Sequence, residues 1–225
     1  MKEHILGELL LDAIVPIPFQ EVTKILECAY GQSQIFKELD KLGETVSFGQ
    51  MHFGKLNDGT EVVVKIQCPE IVSTVKPALY IMELLLKVGP NAKWDFKIDC
   101  YRDVFLLKFS EEFDNRLEIN HQIQYRKMIS PLGRIIIPEV IEDLCRPNIL
   151  VQKREEGFGL DKAETMIPTQ KQAIGSLLLE HFFHMLFRHG FMHADLQPLN
   201  LRFRQYKKDY FVFIQFNPLK DFKYK

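Results

Sequence analysis

The sequence predicts an α+β protein of two lobes. Three observations lead there. A β-hairpin with a lysine in its second strand occupies "QMHFGKLNDGTEVVVKIQ", residues 50–67. Stretches with apolar residues at helical spacing follow at 71–90 and 98–129. A glycine-bearing joint then leads to a long helix, a polar loop and a second hairpin. The boundary between the lobes falls between residues 150 and 151.

The elements can be justified in chain order. "PFQEVTKILECAYGQ" starts at Pro18, keeps Val22, Ile25 and Leu26 on one face and stops at Gly31, which predicts a short amphipathic helix. In the hairpin, Asn57-Asp58-Gly59 supplies the backbone freedom of a tight turn, and Pro69 ends the second strand. Across "YRDVFLLKFSEEFDNRLEINHQIQYRKMI" the apolar residues Val104, Leu107, Phe109, Phe113, Leu117 and Ile123 are separated by charge, a helical pattern. Pro131-Leu132-Gly133 is a turn, and "RIIIPEVI" and "RPNILVQ" are strand candidates. "GFGLD" is the joint, marked by Gly157 and Gly159. "QKQAIGSLLLEHFFHMLFRHG" is a helix with Ile174, Leu177, Leu178, Phe182, Met185 and Leu186 as its stripe and Gly190 at its end. "LRFR" and "YFVFIQF" form the closing hairpin.

Composition narrows the functional classes. The 225 residues are 46% hydrophobic, enough to build a sizeable core. A formal net charge of -1 gives no basic surface for nucleic acid. The cysteines at 28, 68, 100 and 145 form no C-x-x-C pair, so a zinc ribbon is disfavoured and a reducing, cytoplasmic compartment fits. The N-terminal apolar run is interrupted by Pro16 and Pro18 and lacks a small-residue cleavage site, so it does not read as a leader peptide. No apolar run reaches the roughly 20 residues of a membrane span.

The chemistry-bearing residues point to phosphoryl transfer. That reaction needs a lysine on the nucleotide phosphates, a carboxylate to fix the lysine, an aspartate at the acceptor and metal ligands. Lys65 lies inside the apolar run "VVVKIQ", where it either faces water from an edge strand or reaches a partner. Glu112, Asp114 and Glu118 are acidic helix positions, and the last two share a face. His193, Asp195 and Asn200 sit at H-x-D-x-x-x-x-N spacing in the polar loop after the long helix. His181, His184, His189 and His193 cluster in sequence but lack an H-E-x-x-H arrangement, so His181 and His184 read as packing or surface residues.

These motifs together resemble the UbiB family of atypical, protein-kinase-like proteins linked to ubiquinone biosynthesis. The likeness runs from "VPIPFQEVTKIL" to "FIQFN". "SFGQMHFGKLNDGTEVVVKIQCPEI" is similar to the family's nucleotide-loop and lysine-strand segment, "EEFDNRLEIN" to its acidic helix, and "GFMHADLQPLN" to its catalytic loop. "IPEVIEDLCRPNILV" and "GFGLD" resemble the segments around its hinge. The resemblance implies a two-lobed kinase-like fold, with nucleotide loop, lysine strand and acidic helices in residues 1–150 and a partial C-lobe in 151–225. It implies ATP and Mg²⁺ as cofactors. Ser47, Gly49 and Gln50 would lie over the nucleotide, and Lys65 would meet its phosphates and pair with Glu118. Glu112 and Asp114 would belong to the acidic motif near the active site. Asp195 would be the catalytic aspartate and Asn200 a Mg²⁺ ligand. Quinone-biosynthesis proteins or lipid and quinone intermediates would be partners, with a peripheral association at the inner membrane.

The sequence also departs from the family pattern. Where the metal-binding D-F-G is expected after an apolar strand, "FVFI" runs into Gln215-Phe216-Asn217, and the neutral Gln215 replaces the strongest Mg²⁺ ligand. Asp221-Phe222 downstream is a displaced alternative without an apolar strand before it. Lys153 and Arg154 stand where the hinge has an acidic and an apolar residue. The K-x-G-Q segment and the helices beyond D-F-G are expected outside this chain. Three readings follow: a UbiB-type ATPase or phosphotransferase weakened at its metal site, a non-catalytic pseudokinase acting as a binding module, and a small-molecule kinase of aminoglycoside or choline type.

Overall fold

The computed structural model describes residues 16–31, 34–46, 49–68, 77, 80, 115–129, 133–159, 162, 165–190, 201–206 and 209–214. Apart from Pro77 and Tyr80, the expected helix over 71–90 lies outside these residues, as does the first part of that over 98–129. The chain forms two compact units. One comprises Met1–Asn57, Val64–Asn115 and Arg146–Leu150, the other Asp58–Val63, Arg116–Cys145 and Val151–Lys225.

In the first unit, helix α1 (Phe19–Tyr30) starts where the Pro18 carbonyl accepts the Glu21 N–H at 2.8 Å and the Val22 N–H at 3.2 Å. Gly31, at φ 71°, ends it as expected. Val22 is its fully buried residue. Two short strands that the sequence reading did not anticipate follow, β1 (Phe36–Leu39) and β2 (Glu44–Val46). Both pair antiparallel with β3 (Gly49–Leu56), β2 along its beginning and β1 along its end. The expected hairpin is present: β4 (Glu61–Gln67) follows a turn in which Gly59 takes φ 90° and the Asp58 carboxylate accepts the Thr60 N–H at 2.8 Å. The sheet runs β1-β3-β4-β6, with β6 (Ile149–Lys153) realising the "RPNILVQ" candidate.

The second unit is built around helices α2 (Asn115–Ile129) and α3 (Pro168–Phe183). A second sheet has the order β5-β8-β7, from Ile135–Ile136, Asp209–Ile214 and Leu201–Tyr206. β7 and β8 form the expected closing hairpin, while β5 joins β8 in parallel through Ile135↔Val212 and Ile136↔Phe213. Tyr125, Ile129, Ile135, Ile137, Ile174, Leu177, Met185, Leu201 and Phe203 make one buried cluster. Removing that apolar surface from water, at about 25 cal/mol per Å², is the main stabilising term of such a core.

α3 holds a surprise at its end. The expected single helix becomes a π-helix over His184–His189 before Gly190, at φ 60°, turns the chain in the left-handed region. π-helical turns are rare and concentrate at functional sites. This one directly precedes the segment that carries His193, Asp195 and Asn200.

Candidate functional site

Of the residues expected at the site, Gly49, Gln50, Lys65 and Glu118 are described. Ser47, Glu112, Asp114, His193, Asp195, Asn200, Gln215 and Asp221 lie outside the described residues.

Lys65 is settled by its strand. β4 lies between β3 and β6, and every residue after Glu61 is buried. A strand covered on both faces loses the alternation of a half-exposed one, which is why "VVVKIQ" reads as a continuous apolar run. Lys65 is only 8% exposed, so it is not an edge lysine facing water. A buried ammonium is retained only with partners of opposite charge or polarity.

Glu118 is 4% exposed on α2. The buried face of this helix is Asn115, Glu118, Ile119, Gln122, Tyr125 and Ile129. That corrects the apolar pattern seen in the sequence, because Leu117 is exposed. Gln122 Nε2 donates to Gln152 Oε1 at 2.7 Å and to the Pro138 carbonyl at 3.0 Å, tying α2 to β6. The Tyr125 hydroxyl meets His181 Nε2 and, at 2.7 Å, Met185 Sδ. Burial pushes the Tyr125 phenol well above its ordinary value, so it stays protonated. His181 is therefore a fully buried packing residue, as expected.

Gly49 and Gln50 begin strand β3 in register with Val46 and Thr45 of β2. Gly49 has a steric role: a Cβ there would lie 2.6 Å from the Ile66 carbonyl oxygen. The Gln50 carboxamide is held by the protein itself. Its Oε1 accepts the Ile17 N–H at 2.7 Å, and its Nε2 lies 3.0 Å from His52 Nε2. Sequence reasoning missed this second function of the motif, although residues two apart on a strand share a face.

Around the expected hinge, Lys153 pairs with Glu139 at 3.1 Å, and Arg126 joins the same carboxylate at 3.3 Å. Gly157 lies where two backbones approach, since a Cβ there would be 3.0 Å from Arg202 Cβ. Phe158 and Phe203 exchange backbone hydrogen bonds of 2.9 and 2.8 Å, fastening the segment after β6 to β7. At the π-helix the His184 and His189 ring centroids are 5.0 Å apart, and His184 Nδ1 and His189 Nε2 are buried without a hydrogen-bond partner among the described residues. Desolvation, then His184, then Arg188 lower the His189 pKa. No group of three or more metal-ligating side chains occurs among the described residues. A separate groove of about 610 Å³ between α1 and β1, lined by Phe19, Leu26, Tyr30 and Phe36 among others, holds none of the expected site residues.

Comparison with known proteins gives this geometry a context. The profile of the ABC1 atypical kinase-like domain matches residues 9–223. A Pseudomonas putida protein named "Probable protein kinase UbiB" is 27% identical over 202 residues, covering 86% of this chain and 37% of its own length. An uncharacterised protein from the hydrogenase 1 5′ region of Clostridium pasteurianum is 29% identical, covering 72% of this chain and 31% of its own. The chain thus spans well under half the length of these curated relatives. Among solved structures, Rv3197 of Mycobacterium tuberculosis in complex with erythromycin is similar with a TM-score of 0.75 at 26% identity, over 89% of this chain and 51% of that one. Rio2 kinase of Chaetomium thermophilum, in an ADP/Mg²⁺-phosphoaspartate complex, shares the fold with a TM-score of 0.53 at 13% identity, over 89% of this chain and 52% of that one. A buried strand lysine and a buried helix glutamate in a kinase-like α+β fold, with a family match across nearly the whole sequence, assign the chain to the ABC1 family of atypical kinase-like proteins of UbiB type.

Proposed function

We propose that this chain is the ATP-binding part of a UbiB-type atypical kinase that supports ubiquinone biosynthesis, and that it has little or no phosphoryl-transfer activity. The observation that carries the nucleotide reading is Lys65, a cation held in the buried central strand of the first sheet. An anionic phosphate group is the ligand whose chemistry fits such a cation. Bound ATP would supply an activated phosphoryl group. In that setting Lys65 holds the α- and β-phosphates, and Glu118 is its expected partner. Ser47, Gly49 and Gln50 form the segment over the nucleotide, with Glu112 and Asp114 close to the site. Asp195 orients the acceptor, and Asn200 ligates Mg²⁺. The lobes divide at residues 150 and 151.

The weakened-catalysis part of the proposal rests on the donor set for Mg²⁺. Asn200 and Gln215 are both neutral, and a hard divalent cation prefers carboxylate oxygens. That chemistry favours weak or metal-independent nucleotide binding, and a binding role without transfer is the second reading it supports. ATP titration with and without Mg²⁺ tests both. The expected result is binding that depends on Lys65 and changes little with Mg²⁺. Strong Mg²⁺-dependent turnover abolished by Asp195→Ala would overturn the non-catalytic reading. Gln215→Asp is expected to introduce Mg²⁺-dependent binding, and its failure to do so would count against the place given to Gln215.

A further inference from the structure

We infer that His184 and His189 form a two-histidine site for a zinc ion, which clasps the π-helical turn at the end of α3. This site shares no residue with the proposed nucleotide site and does not rest on that reading.

Backbone geometry brings the two rings together. An α-helix turns about 100° per residue, so side chains five apart would point about 140° away from each other. A π-turn closes its hydrogen bonds over five residues, which sets residues five apart one above the other. His184 and His189 are the first and last residues of this turn, and the Gly190 N–H closes it on the Met185 carbonyl. Their ring centroids are 5.0 Å apart. The H-E-x-x-H motif relies on the four-residue spacing of an α-helix, so a pair five apart escapes that pattern.

The ring spacing suits a shared ion. With Zn–N bonds of about 2.0–2.1 Å and near-tetrahedral angles, two imidazoles on one zinc ion have centroids about 5 Å apart. On opposite sides of the ion the centroids would be more than about 6 Å apart.

The ring nitrogens supply a second observation. His184 Nδ1 and His189 Nε2 are buried and have no hydrogen-bond partner among the described residues. A buried polar atom without a partner costs stability, and native folds keep such atoms for a reason. A neutral imidazole binds a metal through the lone pair of its unprotonated nitrogen. Desolvation is the main cause that lowers the His189 pKa, so burial favours this neutral ring. His181 on the same helix shows the contrast. Its ring is engaged by the Tyr125 hydroxyl, which accounts for it as a packing residue.

The donor chemistry selects the ion. Imidazole nitrogen suits zinc and its transition-metal neighbours, whereas Mg²⁺ and Ca²⁺ take oxygen ligands. No group of three or more ligating side chains occurs among the described residues, so solvent would complete the coordination. His184 and His189 are part-buried as whole residues, which leaves the pair within reach of an ion. Arg188 on the same turn is exposed, and water and salt screen its charge.

The test adds Zn²⁺ alone to the full chain carrying Cys28→Ser, because the exposed Cys28 thiol is a competing ligand. Long-range ¹H–¹⁵N NMR reads each imidazole nitrogen separately. One ion per chain is expected, bound through His184 Nδ1 and His189 Nε2. His184→Gln and His189→Gln should each weaken binding by about tenfold or more, since each removes one of two ligands. Zinc should raise the thermal midpoint of the parent chain and leave that of either variant unchanged. It should also slow amide exchange of Gly190, whose N–H closes the turn. Zinc affinity that is the same in both variants as in the parent would overturn the site. So would zinc shifts confined to other histidines, a result that the parent chain alone can give if a variant fails to fold. Zinc bound at both rings with Gly190 exchange unchanged would overturn the clasp.

Discussion

Lys65 lies in the strand between Val64 and Ile66, both fully buried. The side chain alone did not decide its environment, because the same residue on an edge strand would face water. The position of β4 inside its sheet decided it. His189 is a comparable case for a titratable group. Desolvation and the neighbouring His184 and Arg188 lower its pKa, so the folded chain favours the neutral ring. The unfolded chain takes up a proton as pH falls below the ordinary imidazole value of about 6.5. Stability from this group is therefore present above that value and declines as pH falls through it, until the folded ring is also protonated. Urea unfolding should show a smaller loss between about pH 8 and about pH 5 in His189→Gln than in the wild type. An unchanged pH dependence would mean that His189 carries no linked proton.

On the scale of elements, α2 shows why periodicity can mislead. Its inner face carries Asn115, Glu118 and Gln122, while the apolar Leu117 faces solvent. A helix whose polar residues make specific buried contacts has a weak apolar stripe, so the pattern located the helix without locating its inside. The Gln122–Gln152 bond makes this measurable. Gln122→Leu leaves Gln152 Oε1 and the Pro138 carbonyl without that donor, and should destabilise the protein by about 1–3 kcal/mol. Adding Gln152→Leu removes one of these acceptors, so the double variant should be less destabilised than the sum of the single ones. Additive values in chemical denaturation would exclude coupling. Other elements were legible for plain reasons. The turn at Gly59 and the helix stops at Gly31 and Gly190 all use positive φ angles that glycine adopts without strain. β1 and β2 were not legible, because strands of four and three residues are too short for a period to emerge. The π-helix was hidden because its residues fit an α-helical stripe equally well.

For the molecule as a whole, the sequence motifs and the fold agree on a kinase-like architecture, and Lys65 and Glu118 were named from the sequence as candidates. The jobs of Gln50 and His52 were not, since a hydrogen-bond relay to Ile17 depends on contacts far apart in the chain. Ligand linkage tests the assembled site. ATP at about 100 times its Kd should stabilise the native protein by about 2.7 kcal/mol, raising the thermal midpoint, and Lys65→Ala should abolish the rise. A midpoint insensitive to ATP in the wild type would argue against nucleotide binding by this chain. Among the described residues no helix is long and apolar enough to cross a membrane.

The parallel pairing of β5 with β8 also has a consequence for synthesis. Among the described residues, the strand partners of Ile135 and Ile136 are Val212 and Phe213. As the chain leaves the ribosome, β5 must wait through the emergence of α3, residues 191–200 and β7. Contacts so distant in sequence close late, and an unpaired apolar strand is prone to associate with other chains in the interval. A chain stopped just before Asp209 would keep the hairpin around Lys65 and both described helices of the second unit. It would nevertheless leave β5 without its partner, making aggregation, more than loss of nucleotide binding, the expected fate of such a truncation.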